Sequence, residues 1–520
     1  MIQKNKQMKK LFIPIILFAV FMNSCSKDIV ERNLEYPALQ PASTDINAGI
    51  WKPILLTGPT EFSVAAPIAV TTPDYIAQIN EIKTWQADLS KDEKKIVQYW
   101  SAGAVLRWNE IMRELVAKHN LPPYQNPDGT YPAPNANNPL AYPQFPFANP
   151  PYASRAYAYV AAAQYDALVA AWHYKKLYNR AAPYTIDATI NTLIPKSDLP
   201  SYPSEDAVVA GVVGEMMKLL FPGDQDFIQQ KIEEHKKARL IAGANVRSDL
   251  DAGEALGKAV AQKFVTRARG DRAGTAGGSL AIQSQMEQDC IARGEIPWIS
   301  QEVPKRPGML MLFGRVRTWL FDSLTMVTTI RPPAPPSTSS QKFKEEVDEV
   351  HSYSTSITPE TRAIAHFWAD GISTQTPPGH WNQIAAEDFV AQNFSEVRWA
   401  RNMALLNMSL MDAAIVCWDA KYFYFNPRPS QIDNRIKTVT GLPNFPSYPS
   451  GHSTFSGAAA TILGHIIPSK ATKYTDMAKE ASLSRMYASI HYRSDCEKGL
   501  EAGNKIGEHA KTRAKTDGAE

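Results

Sequence analysis

The chain has 520 residues, 44% of them apolar, and sets 55 Lys and Arg against 52 Asp and Glu for a formal charge of +3. That length is enough for two sizeable cores at an ordinary globular composition. The charges are dispersed rather than gathered in blocks, which excludes a nucleic-acid footprint and leaves a small-molecule substrate as the expected partner.

Lys4, Lys6, Lys9 and Lys10 precede an apolar run from Leu11 to Met22. The run is too short to span a bilayer and suits the core of a secretory signal. Ser24-Cys25 follows, so residues 1–25 resemble a bacterial lipoprotein signal with Cys25 as the lipidated residue, although Met22 and Asn23 depart from the usual lipobox. The expected location is the bacterial cell envelope, periplasmic or outer-membrane, with the lipid anchor as the membrane contact and secretion as the alternative. No later stretch reaches about 18 uninterrupted apolar residues, which argues against a multi-pass membrane enzyme. Cys290, Cys417 and Cys496 are too few and too scattered for a disulfide framework.

Residues 26–90 are rich in Pro and Thr and read as a tether and cover with short helices. A first helical bundle is expected over 91–266, with helices at Tyr99–Lys118, Arg155–Tyr174, Asp206–Leu220 and Asp224–Ile241. The crossover, 267–345, contains Arg331-Pro332-Pro333-Ala334-Pro335-Pro336 and cannot be continuous helix. A second bundle over 346–515 carries helices at Pro359–Gly371, Asp388–Phe423, Ser453–Ile467, Ala471–Ile490 and beyond Glu497. The Met and aromatic positions of Met403–Trp418 recur at helical spacing and read as core. Strand alternation is scarce, so the fold class is all-α, two related helical bundles.

The bundles are related because they align with each other. Arg155, Asp166-Ala167, Trp172 and Lys175 match Arg401, Asp412-Ala413, Trp418 and Lys421, each 246 positions on. The register continues through Ser204 and Ser450, Arg239 and Arg485, and Asp249 and Asp495. Upstream, Ile96, Trp100 and Gly103 match Ile364, Trp368 and Gly371 at 268, and Trp108-Asn109 matches Trp381-Asn382 after five inserted residues around Thr376–His380, a loop expected to line the working pocket. A duplicated helical unit explains this register.

Three segments of the second bundle carry chemistry: Lys421 with Arg428-Pro429, then Pro449-Ser450-Gly451-His452, then Ser484-Arg485 with His491 and Asp495. In the first bundle Arg428 is replaced by Ala182, Gly451 by Glu205, His452 by Asp206 and His491 by Asn245. Each change removes a cation, a nucleophile or close backbone approach, so the first bundle is expected to be inactive.

Together these segments resemble the active-site pattern of the type 2 phosphatidic acid phosphatase and vanadium-dependent haloperoxidase superfamily, every position of which is filled. Gly314–Trp319 and Trp368–Trp381 resemble segments of bacterial haloperoxidase-like proteins, and the two-bundle layout is what that resemblance implies. In physical terms Lys421, Arg428 and Arg485 can neutralise a phosphate or vanadate. Ser450 and Gly451 open a helix whose first N–H groups would face that anion. His491, oriented by Asp495, is expected as nucleophile or vanadate ligand, and His452, with an ordinary pKa near roughly 6.5, as general acid/base. On one helix His491 and Asp495 would share a face, although a turn could replace that geometry. The resemblance implies vanadate-dependent oxidation of halide by hydrogen peroxide. Alternatives are phosphomonoester hydrolysis through a phosphohistidine with no cofactor, and a non-catalytic oxyanion-binding lipoprotein.

Overall fold

The computed structural model describes residues 36–121 and 149–520; the proposed signal segment, Cys25 included, lies outside them. Among the described residues the regular structure is helical. Thr72 caps α1 (Pro73–Ala87), accepting from the Tyr75 amide, so the expected tether contains a full helix. A capping box of Ser90 and Glu93 starts α2 (Lys91–Ser101). Gly103, at φ 119°, then breaks what the sequence presented as one helix from Tyr99, and α3 (Ala104–His119) begins afresh.

Next come α4 (Pro150–Tyr178), α5 (Glu205–Leu220), α6 (Gln225–Ile241) and α7 (Arg247–Arg269). The crossover holds one substantial helix, α8 (Leu280–Ala292). The second bundle follows with α9 (Gln341–Thr355), α10 (Pro359–Phe367), α11 (Thr376–Val390), α12 (Glu396–Tyr424), α13 (Gly451–Ile466), α14 (Ala471–Tyr487) and α15 (Arg493–Ala514).

The helix starts repeat the register seen in the sequence. Pro150 and Glu396, Glu205 and Gly451, Gln225 and Ala471, and Arg247 and Arg493 all stand 246 positions apart, while Lys91 and Pro359 stand 268 apart. The two 29-residue helices α4 and α12 are almost wholly buried and pack on each other, forming the shared spine. Asn109 of α3 donates to Asn382 of α11 at 2.8 Å, so aligned residues also meet across the bundles.

The fixings recur as well. Arg155 binds Asp271 and the Ala268 carbonyl, each at 2.7 Å; Arg401 binds Asp517 and the Ala514 carbonyl at the same distances. Asp166 accepts the amides of Ile54, Leu55 and Leu56, and Asp412 those of Trp319 and Leu320. Each is a buried carboxylate pinning a strap of chain to its spine helix. In α7 and α15 small residues permit close helix contact: a Cβ on Gly257 would lie 2.2 Å from the Val208 carbonyl, and one on Gly503 2.3 Å from that of Thr454. That contact locks α13, which opens at Gly451, against α15, which carries Asp495.

Several expected boundaries differ. Asp388–Phe423 is two helices, because Asn393 at φ 51° turns the chain and Ser395 caps α12 through the Arg398 amide. Thr376–His380 is the first turn of α11, not a loop, with Pro377 and Pro378 where their missing N–H groups cost nothing. Pro359–Gly371 ends at Phe367, and Ala471–Ile490 ends at Tyr487, before Ser489 at φ 59°. Among the described residues one helical stretch, Glu396–Ile432, is long and apolar enough to cross a membrane, and 94% of its apolar window is buried inside the protein.

Candidate active site

The three segments converge. Lys421 lies in the last turn of α12, which Phe425 ends at φ 56°, and Arg428 follows as the cap of the single-turn helix Pro429–Ile432. Ser450 caps α13, accepting from the Ser453 amide at 3.4 Å. By helix geometry the amides of Gly451 and His452, in the first turn, have no intrahelical acceptor. Arg485 occupies the last turn of α14, and Asp495 the first turn of α15.

His491 and Asp495 do not share a helix face. His491 precedes the Tyr492 cap of α15, and the turn brings its Nδ1 to Asp495 Oδ2 at 2.8 Å. The same oxygen accepts from the Tyr492 amide at 3.2 Å and from Ser447 Oγ. Since a carboxylate only accepts, Nδ1 carries the proton and Nε2 presents a lone pair. Arg428 Nη1, 3.1 Å from that Nε2, also donates to the Ile490 carbonyl, and its Nε donates to Phe445.

Burial governs the protonation states. Desolvation, then Arg428 and Lys421, hold the His491 imidazole well below its ordinary pKa, so it is neutral at pH 7. Desolvation also pushes Asp495 up to about 6, against the pull of Ser447 and Lys421. Lys421 is fully buried and its Nζ donates to the carbonyls of Pro446, Ser447 and Pro449 at 2.8, 2.8 and 2.6 Å. Burial lowers its pKa to about 7. In this structure Lys421 therefore ties the Pro-Ser-Gly-His loop to α12, using all three protons on carbonyls.

His452 has a 17% exposed side chain, and its Nε2 has no hydrogen-bond partner. Desolvation, then Arg485 and His380, lower its pKa well below the ordinary value, opposed by the carbonyls of Trp368 and Ala369. Two groups that the sequence reading left without a role face it. Asp370 Oδ2 lies 4.0 Å from His452 Nε2, and His380 Nδ1 lies 3.1 and 3.2 Å from the two Asp370 oxygens. Asp370 also supplies the negative charge opposite Arg485, whose guanidinium otherwise binds Ser484 Oγ and the Ala365 carbonyl. Only the five-residue insertion hinted at His380; Asp370 left no motif signal.

Two observations test whether these residues fit an oxyanion. Arg428 Nη2 is a buried donor with no partner, and a buried donor left unmade costs roughly 1–3 kcal/mol. A Cβ on Gly451 would meet nothing closer than Trp418 at 3.9 Å, so this glycine is not required by packing against protein. Among the described residues no cluster of three or more His, Cys, Asp or Glu could hold a metal cation. One lone-pair nitrogen, two guanidinium groups and helix-start amides suit a tetrahedral oxyanion bonded through nitrogen, vanadate included.

Residues 402–504, which contain all of these motif positions, match the family model of the PAP2 superfamily. This part of the chain is similar to the PAP2 superfamily. The vanadium chloroperoxidase of Curvularia inaequalis is 30% identical over 136 residues, covering 20% of this chain and 22% of that protein. The match thus spans about a fifth of that relative's length. Among solved structures, a bacterial vanadium-dependent iodoperoxidase aligns over 78% of this chain and 95% of its own, with TM-score 0.54 and 22% identity. A holo-type bacterial vanadium-dependent chloroperoxidase aligns over 74% and 96%, with TM-score 0.50 and 13% identity. Both likenesses extend well beyond the PAP2 segment and are likenesses of fold.

Proposed function

We propose that the second bundle is a vanadate-dependent haloperoxidase-like enzyme, acting on hydrogen peroxide and halide at an oxyanion site centred on His491. The observation that carries this reading is the neutral His491 imidazole, with Asp495 behind Nδ1 and a lone pair on Nε2 beside Arg428. Vanadate held there would supply the Lewis acidity that activates peroxide toward halide. His491 would hold it through Nε2; Arg428 through its unpartnered Nη2, Arg485, and the Gly451 and His452 amides would balance its charge. Ser450 sets the start of α13, and Lys421 fixes the loop before it. His452, with Nε2 free, would take a proton from an incoming acid and return it to a leaving oxygen.

Hydrolysis of a phosphomonoester through His491 would use the same residues. The alignment with nearly whole haloperoxidase chains supports the haloperoxidase reading. The deciding assay pairs bromination of a phenol dye by vanadate-loaded protein in peroxide with phosphate release from p-nitrophenyl phosphate by vanadate-free protein. Bromination abolished by His491→Ala supports the proposal; phosphate release without bromination replaces it with the phosphatase, and vanadate binding with neither turnover leaves an oxyanion-binding protein. We infer too that the bundles arose from one duplicated unit, supported by the 246-position recurrence of helices and fixings. The envelope location through a lipid on Cys25 is likewise a proposal, checked by mass spectrometry of the mature N-terminus for a diacylglyceryl cysteine.

A further inference from the structure

The five residues that the second bundle has and the first lacks deliver an imidazole. Thr376–His380 forms the first turn of α11, pinned to the spine where Tyr157 Oη donates to the Gln375 carbonyl at 3.2 Å. Gly379 sits so close beneath it that a Cβ would meet Tyr157 Oη at 2.6 Å. His380 is thereby stacked on the buried Trp368, ring centroids 4.7 Å apart, with Phe367 edge-on at 4.9 Å. Its side chain is 12% exposed and that of Asp370 9%.

The first bundle builds an imidazole and carboxylate over its matching Trp100 by another route. There His235, from α6, stacks at 4.0 Å, and its Nε2 meets Asp206 at 2.9 Å. Asp206 stands at the position of His452, so that pair closes on itself. In the second bundle the carboxylate comes from Asp370, at φ 45°, and the imidazole from the insertion. His452 is left facing the pair, its Nε2 without a hydrogen bond.

We propose that His380 is a positioning residue for His452: its Nδ1–H holds the Asp370 carboxylate toward His452 Nε2 instead of letting it turn wholly to Arg485. A carboxylate only accepts, so the proton of the His380–Asp370 bond sits on Nδ1, and the ring cannot flip while packed between Trp368 and Phe367. At 4.0 Å Asp370 is too far for a direct bond to His452 yet close enough to favour its protonated form. The other groups facing His452 are Arg485 from α14, whose charge opposes that of Asp370, and the neutral His491 from the turn before α15. The inference rests on His452 being the acid/base group of the proposed site.

The test compares His380→Phe, which keeps the stacking and removes the donor, with His380→Asn, which places an N–H near the former Nδ1. Both remove any charge on the ring, so their difference isolates the hydrogen bond to Asp370. The expected result is a His452 imidazole titration, followed by NMR on vanadate-free protein, with a lower midpoint in His380→Phe than in His380→Asn. In the peroxide assay kcat falls roughly 10-fold in His380→Phe, a fraction of what an acid/base group contributes, and recovers in His380→Asn. Vanadate affinity stays within about 3-fold in both, below the effect of losing an orienting partner of a ligand. Identical midpoints in the two variants would overturn the proposal. Absence of turnover in wild type would instead remove the proposed function, while the NMR midpoints would still decide the role of His380.

Discussion

The two bundles differ at one place in a way that explains the rest. In the second, Gly451 opens α13 onto space that a Cβ could occupy. In the first, Glu205 stands there, and its carboxylate binds Lys175 Nζ at 2.7 Å and Arg239 Nη2 at 3.3 Å, the aligned partners of Lys421 and Arg485. Asp206, at the position of His452, binds Arg239 Nε at 2.9 Å. Asn245, at the position of His491, donates to the Ser201 carbonyl at 2.9 Å and accepts from Ser204 and Arg239. The first bundle thus carries the anion as a side chain and satisfies its own cations. The second leaves Arg428 Nη2 unmatched. A cation present in both bundles says little about binding; what occupies the space before it says more.

The largest expected effect comes from His491→Ala. It removes the lone-pair nitrogen and lowers vanadate affinity by more than about 100-fold, beyond the usual effect of losing an outer partner, as isothermal titration would show. Gly451→Glu makes the second bundle resemble the first: the new carboxylate reaches Arg485 and competes with the loop carbonyls for Lys421, vanadate binding is lost, and thermal stability is kept or raised, since an acid is favourable at a helix start. The reverse change, Glu205→Gly, leaves the buried Lys175 without its bound carboxylate and Arg239 with Asp206 alone. It costs about 3 kcal/mol or more, and added phosphate raises the melting temperature of this variant more than that of the parent.

A smaller effect separates the two strap-pinning carboxylates. Desolvation pushes Asp166 up to about 6 and Asp412 up to about 7, the latter having fewer amides to offset it. Both folded-state values lie above that of an unfolded Asp, near roughly 3.9. Their contribution is therefore fully present below about pH 4 and is lost as pH rises through 6 and 7. Asp412→Asn cannot ionise, so its melting temperature relative to the parent improves from pH 5 to pH 8, and by more than that of Asp166→Asn.

Much of this was legible in the sequence because its two halves align at a constant register. Helices that bury most of their surface carry little periodic signal, yet the constant register from Arg155 to Asp249 and from Arg401 to Asp495 paired the helices of the two bundles and marked four decisive differences between them. The breaks at Gly103 and Asn393 were hidden because each rests on one residue of positive φ between strongly helical flanks. The carbonyl cage of Lys421 was also hidden, since acceptors from the main chain leave no trace in side-chain identity. Asp370 and His380 meet His452 from more than seventy positions away, and no spacing rule links residues that only tertiary packing brings together.

The stoichiometry of vanadate binding by calorimetry, in parent, His491→Ala and Asn245→Ala proteins, tests the central contrast most directly. One equivalent per chain is expected, lost in His491→Ala and retained in Asn245→Ala. Two equivalents in the parent, or one that survives His491→Ala, would contradict the assignment of an open site to the second bundle and a self-filled one to the first.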